Sequence, residues 1–120
     1  MADYVNLTIE EDYIAVSFYI EYDKPLAIGN KMQELVDEAY MNGYNWEAFF
    51  NAYLEENAPE ILDVIDPDSE AGMYSVYIED VNEETKDLAK RFVDIIEHLV
   101  ENEHEIYDFL EEHAADIEWD

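Results

Sequence analysis

The chain has 120 residues, of which 33 are Asp or Glu and five are Lys or Arg, so its formal net charge is −28 at pH 7. Hydrophobic residues make up 49% of the chain and aromatic residues 14%, which excludes a disordered acidic tail and predicts one folded domain over residues 1–120. The charge disfavours direct binding to nucleic acid or to an anionic membrane, because both interactions need clustered Lys and Arg.

Two segments near the N-terminus alternate apolar and polar residues with the period of two that is typical of β-strands. They cover residues 4–10 and residues 13–22. The short polar connection Glu10-Glu11-Asp12 predicts that these strands form an antiparallel hairpin. Residues 73–79 repeat the alternation and predict a third strand.

Two helices are predicted between the second and third strands. Asn30 is expected to cap a helix over residues 31–42, which Gly43 ends. Asn45 is the expected cap of a second helix that runs to about residue 56. The aromatic residues of the second helix recur at three- and four-residue spacing, which predicts that three of them pack in the core: Trp46, Phe49 and Phe50.

Further helical segments follow on either side of the third strand. Pro59 suits the start of a short helical turn, and Asn82, followed by two acidic residues, predicts the start of a long helix. Asn102, with Glu105 three residues later, predicts a restart of the helix. The pattern predicts an α+β fold in which a small antiparallel sheet of about three strands packs against four or five helices.

No arrangement of residues predicts a catalytic, cofactor or metal site. The three histidines, His98, His104 and His113, lack the spacing of a metal-binding bundle. Residues 66–72 resemble the start of an EF-hand loop, but the glycine is one position late and Tyr77 stands where the bidentate Glu belongs. We interpret this segment as a turn, and we expect a protein that is not an enzyme.

Acidic residues beside tyrosines form the expected partner-binding surface, because Tyr and Trp are enriched at interface hot spots. The predicted residues of this patch are Tyr44, Glu47, Tyr53, Glu55 and Glu56. Trp119 lies between two acidic residues, and the sequence leaves open whether it docks against the domain or anchors a partner.

Four segments, in this order, resemble the immunity protein 51 family of bacterial polymorphic toxin systems: residues 42–48, 53–60, 66–74 and 117–120. The resemblance covers about residues 40–120. It implies a small cytoplasmic protein that binds a cognate toxin domain and blocks it. A nuclease toxin is often basic because it holds phosphates, so the acidic surface would engage Lys and Arg at the toxin's active site. With the resemblance, the predicted binding surface also includes four acids between residues 63 and 70: Asp63, Asp66, Asp68 and Glu70.

Other interpretations remain open at this point. The chain could be a phage or plasmid DNA mimic that inhibits a host nuclease or restriction enzyme, or its acidity could reflect adaptation to salt. The chain has no Cys and begins without an apolar leader, from which we expect a cytoplasmic protein with no membrane anchor. Both a monomer and a dimer fit the sequence.

Overall fold

A computed structural model describes residues 1–120 as four strands, five α-helices and a 3₁₀ turn at Ala114–Asp116. The strands have the order β1-β2-β4-β3 in one antiparallel sheet, which confirms the α+β class. The elements are, in chain order, β1 Val5–Ile9, β2 Ile14–Phe18, α1 Asp23–Leu35, α2 Gly43–Asn57, α3 Pro59–Leu62, β3 Asp66–Pro67, β4 Tyr74–Ile78, α4 Glu83–Glu101 and α5 Glu103–His113.

The two faces of the sheet differ as the alternation of residues predicts. Ile14, Val16 and Phe18 of β2 are buried on the face against which α2 and α4 pack. Ser17 lies on the other face, where its Oγ is 3.4 Å from the Oγ of Ser75 on β4. The side chains that β1, β2 and β4 place on this outer face carry no charge: Asn6, Thr8, Ala15, Ser17, Ser75 and Tyr77.

Aromatic rings form the centre of the core. Phe50 stacks on Tyr74 with ring centroids 5.0 Å apart, and it meets Phe18 and Phe92 edge to face at 6.0 and 5.7 Å. Such pairs add about 0.5 to 1.5 kcal/mol beyond the burial of their surface. Trp46, Phe49 and Phe50 are at most 1% exposed, which confirms their predicted place in the core.

The first helix begins and ends about eight residues earlier than the sequence predicted. It covers Asp23–Leu35 rather than residues 31–42, and Asn30 lies inside it rather than at its cap. Pro25 is accommodated because the first turn of a helix needs no backbone N–H donor. Gly29 lies within the helix, where a Cβ atom would come 3.0 Å from the Cβ of Met41. Pro25 and Gly29, residue types that often mark loops, therefore both lie inside α1.

The cap of α2 is also different from the prediction. Asn42 caps the helix by accepting a hydrogen bond from the backbone N–H of Asn45 at 2.9 Å. Gly43 is the first residue of α2 and does not end the preceding helix. Asn45 is buried inside α2, where its side chain donates to the carbonyl of Tyr40 at 2.8 Å.

The start of α4 agrees with the prediction, since Asn82 and Thr85 form a reciprocal capping box with two bonds of 2.9 Å. The restart at Asn102 is also confirmed, although its side chain does not cap α5. It donates instead to the carbonyl of His98 at 2.8 Å and so holds the end of α4. No helix combines the length and the hydrophobicity that crossing a membrane requires.

The segment interpreted as a turn contains an additional short strand. Asp66 and Pro67 pair with Tyr77 and Val76 as β3, the fourth strand of the sheet. The turn itself is held by an isolated bridge between Glu70 and Met73. The sequence did not predict β3 because two residues are too few to show an alternation.

Candidate functional site

An open groove of about 490 Å³ runs between the exposed face of α2 and the C-terminal residues 116–120. Half of the ten residues that line it are acidic, and none is basic. We call it the α2 groove. Its acidic residues are Glu47, Glu55, Asp116, Glu118 and Asp120, and its aromatic residues are Tyr44 and Trp119.

Helical spacing aligns the acids that α2 contributes. Glu47, Asn51 and Glu55 follow one another at intervals of four residues, which places them along one side of the helix. The side of α2 that carries Trp46 and Phe50 faces the core. The same helix therefore buries its aromatic side and presents its acidic side to the groove.

Hydrogen bonding attaches the C-terminal segment to α2. Asn45 accepts a bond of 2.6 Å from the backbone N–H of Asp120 while its amide group donates to Tyr40. Ile117 is buried, and Trp119 is partly buried against the core. Trp119 thus docks against the domain. The acids of residues 116–120 were not among the predicted binding residues, although their alternation with Ile117 and Trp119 is typical of a segment with one face docked.

The predicted residues on α2 divide between two sides of the helix. Tyr44, Glu47 and Glu55 line the groove, whereas Glu56 is exposed outside it. Tyr53 lies away from the groove and packs against Phe49 and Phe109 with ring centroids 5.9 and 5.3 Å apart. Burial and the charge of Glu105 raise the pKa of Tyr53.

The remaining predicted residues belong to other parts of the surface. Asp63 and Asp66 line a second acidic groove, which we call the β3 groove, together with Glu79, Asp80 and Glu84. Asp68 and Glu70 are exposed in the turn before β4 and line neither groove. The nine predicted residues therefore do not form one continuous site.

Few of the carboxylates have a basic neighbour within the protein. Only Glu83 and Glu101 lie within 4.0 Å of a lysine, with distances of 3.5 Å to Lys86 and 2.7 Å to Lys24. Hydrogen bonds from Lys24 and Tyr4 lower the pKa of Glu101. In the α2 groove, Asp116 has a histidine partner, His113 Nδ1 at 3.8 Å, and the other acids have none.

Such an arrangement can bind cationic groups through charge-assisted hydrogen bonds, for which Lys and Arg side chains are the natural donors. The α2 groove has mostly polar walls, whereas small-molecule sites are predominantly apolar. No group of three or more His, Asp or Glu side chains is arranged to hold a metal ion. The groove therefore presents several carboxylates, with mostly polar surroundings, to the solvent.

Comparison with known proteins adds independent information. Residues 5–115 match the sequence model of a protein family described as Immunity protein 51. The match includes the β1–β2 hairpin and α1, which lie outside the segments that carry the resemblance in the sequence. No curated protein and no solved structure matches the chain.

Proposed function

Because the chain belongs to the Immunity protein 51 family, we propose that it binds a cognate, basic toxin domain and blocks the toxin's active site with its acidic surface. Family membership supports an immunity role and a toxin as the partner. The role requires a complementary surface and no catalytic residue of its own. We place this activity in the bacterial cytoplasm.

The observation that carries the mechanism is the α2 groove, with five acidic residues and no basic one. A negative surface of this kind raises the rate of encounter with a basic protein and repels acidic ones. If the toxin is a nuclease, the groove carboxylates occupy the positions that substrate phosphates would take among its Lys and Arg side chains.

Two features favour the α2 groove over the β3 groove as the interface. Tyr44 lines the α2 groove and is 43% exposed, and Trp119 also lines it. Aromatic side chains therefore lie beside the carboxylates of this groove. Interface hot spots combine such aromatic anchors with charged groups that they shield from water. The β3 groove contains no Tyr, Trp or Phe among its lining residues.

Two matched triple variants test this assignment, each removing three negative charges. One neutralises the α2 groove by Glu47→Gln, Glu55→Gln and Glu118→Gln. The other neutralises the β3 groove by Asp63→Asn, Asp66→Asn and Glu84→Gln. The measurements are the affinity for the cognate toxin domain and the growth of cells that express this toxin. We expect the first variant to weaken binding at least about tenfold and the second by less than about threefold.

A salt series completes the experiment. Association should slow steeply as the ionic strength rises, while dissociation changes less, because screening weakens long-range attraction more than close contacts. Equal losses in the two variants would refute the α2 groove as the interface, and an association rate indifferent to salt would refute the electrostatic mechanism. A host nuclease or restriction enzyme captured from cells in place of a toxin would favour the DNA-mimic alternative.

A further inference from the structure

The strand β1 forms one edge of the sheet, with a neighbouring strand only on the side of β2. In an antiparallel pair, alternate residues direct their backbone groups toward the partner strand and away from it. Tyr19 donates to the carbonyl of Tyr4 at 2.7 Å, and Glu10 donates to the carbonyl of Tyr13 at 2.9 Å. The even-numbered residues of β1 therefore face β2.

The odd-numbered residues of β1 consequently direct their N–H and C=O groups to the free edge. The N–H of Val5 bonds to the carbonyl of Ala2 at 3.4 Å, which leaves the carbonyl of Val5 and both backbone groups of Leu7 and Ile9 without a strand partner. These groups form a row with the period of a β-ladder. The ligand that matches such a row is an extended backbone.

Within its five residues, β1 has none of the charges, prolines or bulges that often prevent strand addition at an edge. Protected edges carry charged residues, proline or a bulge. The sequence of β1 is Val-Asn-Leu-Thr-Ile, without charge or proline, and its register with β2 is unbroken over all five residues. This is an unusual composition in a chain of which 32% is charged.

Charge at both ends of the edge specifies the kind of strand that fits. Asp3 precedes β1, and Glu10, Glu11 and Asp12 follow it, all of them exposed. Asp3 lies in the turn that the Val5 N–H to Ala2 carbonyl bond closes, so the extended segment between the acidic ends is β1 itself, five residues or about 17 Å at the usual rise per residue. The complementary segment has an uncharged centre of about five residues with Lys or Arg at each end.

We propose that the free edge of β1 accepts an extended, basic segment of the toxin domain as a fifth strand of the sheet. The inference rests on the proposed function for the identity of the partner. A second copy of the chain fits the edge poorly, because antiparallel pairing of two β1 strands would bring Asp3 of one copy close to Glu10 of the other. Two chains of charge −28 would also repel each other.

The edge can be tested without the toxin. The probe is the synthetic peptide Lys-Lys-Thr-Val-Thr-Val-Thr-Lys-Lys, and the control is the same peptide with its core amides N-methylated, which keeps the charge and removes the donors. Amide hydrogen exchange reports the site. At saturation with the probe, exchange at Leu7 and Ile9 should slow at least tenfold, whereas Asn6 and Thr8, already bonded to β2, should change less.

Two substitutions at Ile9 distinguish the contribution of its backbone N–H to peptide binding from that of its side chain. Ile9→Pro removes the outward donor, and proline is tolerated where an edge N–H faces solvent. Ile9→Thr keeps the donor and the strand propensity, and Ile9 is 38% exposed, so neither change empties the core. We expect Ile9→Pro to weaken peptide binding about two- to tenfold and Ile9→Thr to leave it within about twofold.

Three results would overturn the inference: no binding of the probe, equal binding of the N-methylated peptide, or binding without protection of Leu7 and Ile9. A dimer that pairs β1 with β1 in the free protein would assign the edge to a second copy and would also overturn it. These outcomes are independent of the neutralisation experiment. A chain that binds the probe but fails to neutralise the toxin would refute the proposed function and retain the strand site.

Discussion

Two residues at the start of α2 position the candidate interface. Gly43 donates its backbone N–H to the carbonyl of Ala71 at 2.8 Å, which brings the helix against the turn before β4. Asn45 is 2% exposed and bonds both Tyr40 and Asp120 through its side chain. The groove therefore depends on a close backbone approach at one residue and a buried amide at another.

Gly43→Ala is expected to destabilise the fold by at least about 2 kcal/mol, because overpacking against backbone cannot be relieved by a side-chain rotation. A Cβ atom there would overlap the carbonyl oxygen of Glu70 and come 2.5 Å from that of Met73. Gly72→Ala is the matched control, since its Cβ would meet the mobile carboxylate of Glu21 at 3.0 Å. Urea denaturation should show less than about 0.5 kcal/mol of loss for the control. Similar losses in both variants would contradict the steric argument.

Tyr74 makes the stability of the protein sensitive to high pH. Its hydroxyl is buried without a hydrogen-bond partner, and burial, with a smaller effect from Glu47, raises its pKa well above the usual value of 10. The unfolded chain releases this proton near pH 10 and the folded chain retains it, so the stability present below pH 10 is lost as the pH rises above it. The loss amounts to at most about 1.4 kcal/mol per pH unit for one such group.

Tyr74→Phe removes this contribution. Between pH 8 and pH 11 the free energy of unfolding should fall by about 1 kcal/mol less in Tyr74→Phe than in the unmodified chain. Tyr40→Phe, at a tyrosine that is 66% exposed, is the control and should follow the unmodified chain. Some loss remains in every variant, because burial also raises the pKa of Tyr107, to about 12. If the free energy of unfolding fell equally with pH in Tyr74→Phe and in the unmodified chain, Tyr74 would not be the cause of the loss.

At the scale of elements, α4 connects the sheet to the rest of the helical layer. The helix covers 19 residues, packs across β1 and β2, and meets α5 at Asn102. Its apolar stripe is buried at Leu88, Phe92, Ile96 and Leu99. A sequence that begins with a capping box and continues with helical periodicity specifies this element locally, before any tertiary contact forms.

The capping box gives a prediction for α4. Asn82→Ala leaves the backbone N–H of Thr85 without its side-chain acceptor and should lower the free energy of unfolding by about 1 kcal/mol. Asn82→Ser restores an oxygen acceptor and should lose less than half as much. Thermal denaturation at pH 7 measures both. If the two substitutions had the same effect, the side-chain cap would not be the cause.

At the scale of the whole molecule, uncompensated negative charge opposes folding. A net charge of −28 is spread over a chain in which only two acidic residues contact a lysine. Like charges held close together in the folded state repel more strongly than in the expanded unfolded chain. Folding therefore depends on the aromatic core to overcome this repulsion, and salt should relieve it.

Raising the NaCl concentration from 20 to 500 mM should raise the Tm by at least about 5 °C, which corresponds to roughly 1 kcal/mol. The control is the chain that combines both triple groove variants and so carries six fewer negative charges. Its Tm should rise less over the same series, because there is less repulsion to screen. An equal rise in the two proteins would point to a general effect of salt on hydrophobic burial.

The sequence by itself determined the features that depend on neighbouring residues. The alternation in residues 4–10 and 13–22 places the hairpin, the spacing of Trp46 and Phe50 identifies core positions, and Asn82 marks the start of α4. Each follows from a local period or a local hydrogen bond. The family resemblance also depends only on the order of residues along the chain, and the match over residues 5–115 confirms it.

No side-chain cap marks the start of α1 after Tyr22, so the sequence holds no local signal for it. Only the tertiary structure decided where α2 begins, because Asn42 and Asn45 are both residues that can cap a helix. The choice follows from the approach of Gly43 to residues 70–73 and from the burial of Asn45. These contacts join segments that are distant in the sequence.

Contacts between distant segments also determine the candidate site. The sequence predicted an acidic surface with Tyr44, Glu47 and Glu55, but it also grouped them with Asp63 and Asp66, which line a different groove. It did not predict the acids of residues 116–120, which a bond between Asn45 and Asp120 brings to α2. Charge is a property of composition, whereas the arrangement of charges into a groove depends on packing between residues that are 75 positions apart.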